Sequence, residues 1–238
     1  MRIEKPREQR EQSQTRLNYA ESRPRKTEGQ LRIENYILCI IIILLLGCRE
    51  HGSGVVVTGQ EDFREGDLVV RCGFGMESKI VTKMSGSKYS HIGILHYDEE
   101  GGEWTVVHAV PGEARKGEKE LVKVEPLTVY FAGDRAECGA WMRIACEDSI
   151  AARAAEYALA KAKEMVEFDD DYMLSDTSRM YCTELVWQAY LHQGVDISQG
   201  SRHEALKPVC KDGECIYPKD IEISELTLFV KPFKTLMK

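Results

Sequence analysis

No C-x-x-C or H-x-x-x-H spacing occurs in this 238-residue chain. The usual ligand patterns of a zinc site are therefore missing, and no metal or cofactor is expected. Nor is there a run of about 20 apolar residues, the length a transmembrane helix requires; the uncharged run Ile37–Leu46 has ten. An excess of positive charge is lacking too. The formal net charge is −7, which argues against nucleic acid as a partner, because phosphate binding needs grouped Lys and Arg. No internal repeat or long low-complexity segment interrupts the sequence. What is present is ordinary globular composition, 43% hydrophobic and 30% charged.

The N-terminus reads as a targeting segment. A polar, basic leader over residues 2–32 precedes the short apolar run, which suits the core of a signal peptide. Leu45-Leu46-Gly47-Cys48 resembles a bacterial lipobox, whose cysteine is lipidated and becomes the mature N-terminus. The expected organisation is therefore a signal peptide over 1–47, a lipid-anchored linker over 48–62 and one domain over 63–238. That implies a membrane-anchored lipoprotein of the bacterial cell envelope, with Cys48 carrying the lipid. The 191 residues from Cys48 onward hold 23 Lys+Arg against 33 Asp+Glu, a net charge of −10, and are long enough for a sizeable core. Six further cysteines follow: Cys72, Cys138, Cys146, Cys182, Cys210 and Cys215. An oxidising compartment permits disulfides, and Cys210/Cys215 and Cys138/Cys146 are the pairs close in sequence.

Within the domain, the turn Phe63–Asp67 feeds an apolar strand through Val70. Gly73-Phe74-Gly75 breaks it, and Glu77–Met84 has the spacing of a short helix with Ile80, Val81 and Met84 inward. His91–Leu95 and Trp104–Ala109 read as strands joined by the hairpin turn Glu99–Gly102. Leu121–Val124, Ala140–Ile144 and Leu226–Val230 are further apolar runs. Asp148 is placed to cap a helix over 149–166, and a last helix opens at Tyr181-Cys182 and continues to about His192. Strands gathered in the middle with helices on either side make an α+β domain with an antiparallel sheet.

Cys182 stands out because it falls in the first turn of a helix, where backbone N–H groups and the helix dipole favour a thiolate. Its spacing with Leu185, Val186 and Ala189 places it on one helical face, and on the helix alone a small core residue is the commoner use of such a position. A thiol nucleophile needs an imidazole to take its proton and a third polar group to hold that imidazole's tautomer. His91 at the start of one strand and His108 on its hairpin partner supply candidates for both roles. Five residues beyond His91, His96 points to the other face. His51, His192 and His203 belong to no constellation. Tyr89, Ser90, Tyr181 and Trp187 are candidates for a substrate cleft, although aromatics at such positions more often belong to a core.

Taken in order, Gly66-Asp67-Leu68-Val69, Ser87–Ile94, Val107-His108-Ala109 and Tyr181–Val186 resemble the YiiX-like permuted papain-like proteins, relatives of the NlpC-type cell-wall cysteine peptidases. Tyr217–Ile221 with Ser224 resembles the closing segment of that family. The order His then Cys, reversed from papain, is the permuted arrangement. The resemblance implies Cys182 as nucleophile, His91 as general base and His108 at the orienting position, where many members carry a glutamate. It implies thiol acyl transfer on a peptide or amino-acyl amide, with the N–H of Cys182 as oxyanion donor. Alternatives on the same fold are a lipid acyltransferase or thioesterase, and a non-catalytic binding module with an unreactive Cys182.

Overall fold

The computed structural model describes residues 54–58, 61–204 and 213–235. The leader, the apolar run and Cys48 lie outside them. Among the described residues no helix is long and apolar enough to cross a membrane. Six strands, β1 (Leu68–Cys72), β2 (His91–Asp98), β3 (Glu103–His108), β4 (Lys123–Pro126), β5 (Cys138–Ile144) and β6 (Thr227–Pro232), form one antiparallel sheet in the order β6-β5-β1-β2-β3-β4. Among the described residues five helices accompany it: α1 (Met76–Ser85), α2 (Leu127–Tyr130), α3 (Asp148–Lys163), α4 (Cys182–Leu191) and α5 (Pro218–Glu222).

The sheet is covered on both faces, and strand alternation sorts its residues between two clusters. Leu68, Val70, Ile92, Ile94 and Met142 pack with Ala154, Ala155 and Ala158 of α3 and with Leu185, Val186 and Ala189 of α4. Val69, Leu95, Val106 and Trp141 face the other way, onto Leu127 and Tyr130 of α2 and the rings of Phe131 and Phe233. Central β1 has all five residues buried, as expected of a strand covered twice. Leu185 and Val186 are 0% exposed, and burial of each such side chain contributes about 1.5–3 kcal/mol. This apolar face fixes α4 against the sheet, and with it the position of the helix start.

The hairpin, the helix opening at Cys182 and the antiparallel α+β architecture agree with the sequence reading; several details do not. Glu147, not Asp148, is the residue preceding α3, and it makes no side-chain cap. The helix ends at Lys163, short of Val166, and Met165 takes a positive φ of 55°. Helix α1 has no buried residue. Its half-buried Val81 and Met84 face the cavity described below rather than the core. The α1 chain leaves through Gly86, whose φ of 68° is a left-handed cap natural to glycine.

Val55–Val56, inside the expected linker, pairs antiparallel with Lys234–Thr235, and Val55 and Val57 pack on the second cluster. The anticipated boundary at Phe63 thus falls within packed chain. Cys138 is not joined to Cys146. It forms a disulfide with Cys72, its direct partner across β1 and β5, with Cα atoms 5.2 Å apart. Strand pairing brings together two cysteines 66 residues apart, a proximity invisible to sequence spacing. Cys210 lies outside the described residues.

Candidate active site

A cavity of about 380 Å³ opens where α4 begins and β2 enters the sheet. Cys182 and Thr183 line it from α4, Ser90 and His91 from the start of β2, Val81 and Met84 from α1, and Phe168, Tyr172 and Tyr181 from the chain leading into α4. Cys182 is the first residue of its helix, with Tyr181 in extended conformation at the N-cap, so the free N–H groups of the first turn surround the thiol.

His91 and His108 lie on the face of Leu95 and Val106, in contact with the ring of Tyr130 at centroid distances of 5.7 and 5.0 Å. The register pairs Ile94 with Val107, which sets His108 opposite Gly93 and places His91 diagonally from it, within reach of a ring. His91 Nε2 is 2.8 Å from His108 Nδ1. The absence of a side chain at Gly93 makes room for this arrangement. A Cβ there would come within 2.4 Å of Val106 Cγ1 and 3.1 Å of His108 Cβ. Gly93→Ala is therefore expected to cost about 1–3 kcal/mol by overpacking and to disturb the histidine pair. A thermal melt together with the rate of Cys182 modification checks both effects.

Beyond His108 lies a residue that sequence reasoning missed. His108 Nε2 is 2.9 Å from Glu125 Oε1. The other Glu125 oxygen accepts from Arg135 Nη1 at 2.8 Å and faces Lys123 Nζ at 3.4 Å. Glu113 lies alongside, accepting from Arg71 (2.5 Å), Lys123 (2.6 Å) and Arg135 (3.1 Å). Arg71 also donates to the Tyr130 carbonyl at 2.7 Å and stacks 4.5 Å over its ring. Burial works to raise the Glu125 pKa, but the His108 hydrogen bond and the charges of Lys123 and Arg135 bring it down to about 2. Burial lowers His108 to about 4 against the opposing pull of Glu125. His91 is pushed well below the usual histidine range by burial and then by the charge of Arg71. At neutral pH both rings are uncharged.

The thiol behaves opposite to the sequence-based expectation. Burial raises the Cys182 pKa, outweighing the N–H of Ile92, the Thr183 hydroxyl and the N–H groups of Thr183 and Cys182. Cys182 is only 8% exposed, and that desolvation overcomes the helix start. The Sγ has Thr183 Oγ1 at 3.8 Å, while His91 lines the same cavity. The resting pair is thus a neutral thiol and a neutral imidazole. Iodoacetamide alkylation of Cys182 is accordingly expected to climb with pH to beyond pH 9, with no plateau near pH 6. A rate–pH profile with peptide mapping checks this, and a plateau near pH 6 would reveal a preformed ion pair.

The remaining candidates divide. Ser90 and Tyr181 line the cavity; the Tyr181 hydroxyl accepts from the Ile216 N–H at 2.9 Å. Tyr89, 1% exposed, belongs to the core and not to the cavity wall. The same is true of Trp187, whose Nε1 donates to Asp196 at 2.8 Å. His96 is half-buried on Glu65 at 3.3 Å. His203 pairs with Asp220 at 2.8 Å. His51 lies outside the described residues. Nothing in the pattern Lys123-Val124-Glu125-Pro126 distinguishes Glu125 from a solvated strand end; the one hint is an acidic residue flanked by β-strand signals, too common to be used.

Comparison with curated proteins finds no match. Among solved structures, the chain resembles that of metalloprotein YiiX from Escherichia coli O157:H7, with a TM-score of 0.55 and 18% identity, covering 74% of this chain and 97% of that one. At that identity the likeness speaks for the fold alone, an α+β architecture. Residues 62–212 match the permuted papain-like amidase enzymes of the YaeF/YiiX type, and this stretch contains the cavity wall at α1, both histidines, Glu125 and Cys182. With more than half its length matched, from before β1 to beyond α4, the chain belongs to the permuted papain-like amidase family YaeF/YiiX, C92.

Proposed function

We propose that this protein is a cysteine amidase of the bacterial envelope in which Cys182 is the nucleophile, His91 the general base and His108 the residue that orients it. The observation that carries the reading is one cavity holding both a helix-start thiol and the imidazole of His91, itself held by His108 at 2.8 Å. Membership of an amidase family supports hydrolysis.

With His91 Nε2 engaged by His108, Nδ1 is the nitrogen left to exchange a proton with Sγ. His91 removes the thiol proton as sulfur attacks the amide carbonyl carbon. The oxyanion that forms is held by the N–H of Cys182, which has no partner within the helix. Collapse breaks the C–N bond, and His91 returns the proton to the departing amine. Water then attacks the thioester with His91 again as base, releasing the acid and the thiol.

The solved neighbour is described as a metalloprotein. Among the described residues of this chain no three His, Cys, Asp or Glu side chains are grouped to hold a metal ion, and the facing nitrogens of His91 and His108 share a hydrogen bond of 2.8 Å.

The substrate proposed is an amino-acyl or peptidyl amide, with peptidoglycan peptides as the envelope source, and the protein is attached to the membrane through lipid on Cys48. Incubation with peptidoglycan stem peptides and with acyl esters, with released amine and alcohol measured separately, tests the chemistry. Cys182-dependent release of amine is expected. Turnover of esters alone would favour the thioesterase or acyltransferase reading. Mass analysis of the membrane fraction tests for a diacylglyceryl group on Cys48.

A further inference from the structure

Glu125 and His108 do not line the cavity, yet they end a buried chain of contacts that starts at a residue which does. We propose that Glu125 is a positioning residue which, acting through His108, dictates which nitrogen of His91 carries the proton. The inference rests on His91 being the base of the proposed reaction.

The argument is one of donors and acceptors. Two cations, Arg135 at 2.8 Å and Lys123 at 3.4 Å, face Glu125 Oε2 and keep the carboxyl ionised. A carboxylate has no hydrogen to give, so the hydrogen in its 2.9 Å contact sits on His108 Nε2. A neutral imidazole carries one hydrogen, which leaves His108 Nδ1 bare. That nitrogen can only accept, so the 2.8 Å contact with His91 is donated by His91 Nε2. Neutral His91 is then bare at Nδ1, the state required of the base in the proposed reaction. The carboxylate thereby sets the polarity of two successive hydrogen bonds. Without it the chain can reverse, with His108 Nδ1–H donating to His91 Nε2 and the hydrogen of His91 moved to Nδ1, where it blocks proton uptake.

The charged and titratable groups packed around the pair are Arg71 from β1, Glu113 from the loop before β4, Lys123 beside Glu125 on β4, Arg135 from the loop before β5, and Tyr130 of α2. Glu113 accepts from Arg71, Lys123 and Arg135, and the Tyr130 hydroxyl donates to the Val69 carbonyl at 3.3 Å. None of these supplies His108 Nε2 with an alternative acceptor. When His91 becomes imidazolium, the added charge lies two hydrogen bonds from the carboxylate, which stabilises it at the moment of attack.

The test uses the full-length protein with p-nitrophenyl acetate as acyl donor and 15N-histidine NMR as a readout independent of activity. In the wild-type spectrum at pH 7, His91 and His108 are both expected as Nε2–H tautomers. Glu125→Gln is expected to slow acylation of Cys182 about 10–100-fold. KM should stay within about a factor of two, since the residue touches no substrate. Glu125→Asp, which keeps the charge, is expected to recover part of the rate. A folded Glu125→Gln protein with unchanged acylation would overturn the proposal. So would an Nδ1–H signal on either ring of the wild type, which also decides the matter if the variant fails to fold. Absence of Cys182 acylation in the wild type would remove the thiol reading itself, while the tautomer spectrum would still judge the polarity set by Glu125.

Discussion

Cys182→Ala is expected to remove amide hydrolysis almost completely while the protein keeps its fold. Loss of a nucleophile that works together with its base lowers kcat by about 10⁴–10⁶-fold, and the groups left behind, the N–H of residue 182 and the cavity walls, supply only the residual rate. The structural cost is small. The sulfur is removed from the end of a helix whose position is secured elsewhere, by Leu185, Val186 and Ala189 against the sheet, so the melting temperature should move by no more than a few degrees. Cys182→Ser should be nearly as inactive, because the site already opposes ionisation of a thiol through burial, and a hydroxyl is far harder to deprotonate. The measurement is steady-state turnover of a peptidyl amide by both variants, alongside thermal melts. A Cys182→Ala protein retaining a tenth or more of wild-type activity would place the nucleophile elsewhere.

The largest effect on stability is expected at Glu184, two residues along the same helix. As the third residue of α4, Glu184 occupies the position of a capping-box acid, and the Tyr181 N–H approaches it. It is nevertheless 0% exposed, and neither carboxyl oxygen has a hydrogen-bond partner among the described residues. Burial, with the nearby charge of Asp169, raises its pKa from 4.5 to about 9. In the folded protein the carboxyl is therefore protonated at neutral pH, whereas in the unfolded chain it is ionised above about pH 4.5. Stability from this group is complete below pH 4.5 and is lost progressively as the pH rises towards 9. At about 1.4 kcal/mol per pH unit, the interval from pH 4.5 to 7 amounts to about 3–4 kcal/mol. Glu184→Gln, neutral in both states, is expected to be more stable than wild type by that order at pH 7, with the advantage vanishing near pH 4.5. The two histidines act in the opposite sense. Lowered in the folded state, they stabilise fully above their ordinary pKa of 6.5 and lose that contribution as the pH falls, for His108 towards about 4. Urea unfolding of wild type and Glu184→Gln from pH 4.5 to 8.5 isolates the Glu184 contribution, since the histidines are common to both. Parallel stability curves would mean that the carboxyl is ionised in the folded protein.

The β2–β3 hairpin was legible in the sequence because apolar residues alternate on both sides of a Gly-containing turn, and α4 because Cys182, Leu185, Val186 and Ala189 share a helical face. Local pattern also sufficed to bring His91 near His108. Glu125 was not legible, because its part depends on the register between β3 and β4, which pairs His108 with Lys123 and carries no local mark. The Cys72–Cys138 disulfide was hidden for the same reason: two strands far apart in sequence must first be known to be neighbours. The thiol pKa was misjudged because a helix start is visible in sequence and desolvation is not. Tyr89 was misassigned to the cleft because alternation says which residues share a face, not whether that face meets core or cavity.

The central claim is that acyl transfer passes through Cys182 with His91 as its base, and the most direct measurement is to trap the acyl-enzyme. The protein is mixed with p-nitrophenyl acetate at pH 7, quenched in acid within one turnover, and mapped peptide by peptide by mass spectrometry. The account predicts an acetyl group on Cys182, little on Cys146, and none on Cys182 in the His91→Ala variant over the same interval. Acetylation of Cys182 no faster than of the other thiols, or undiminished by loss of His91, would contradict it.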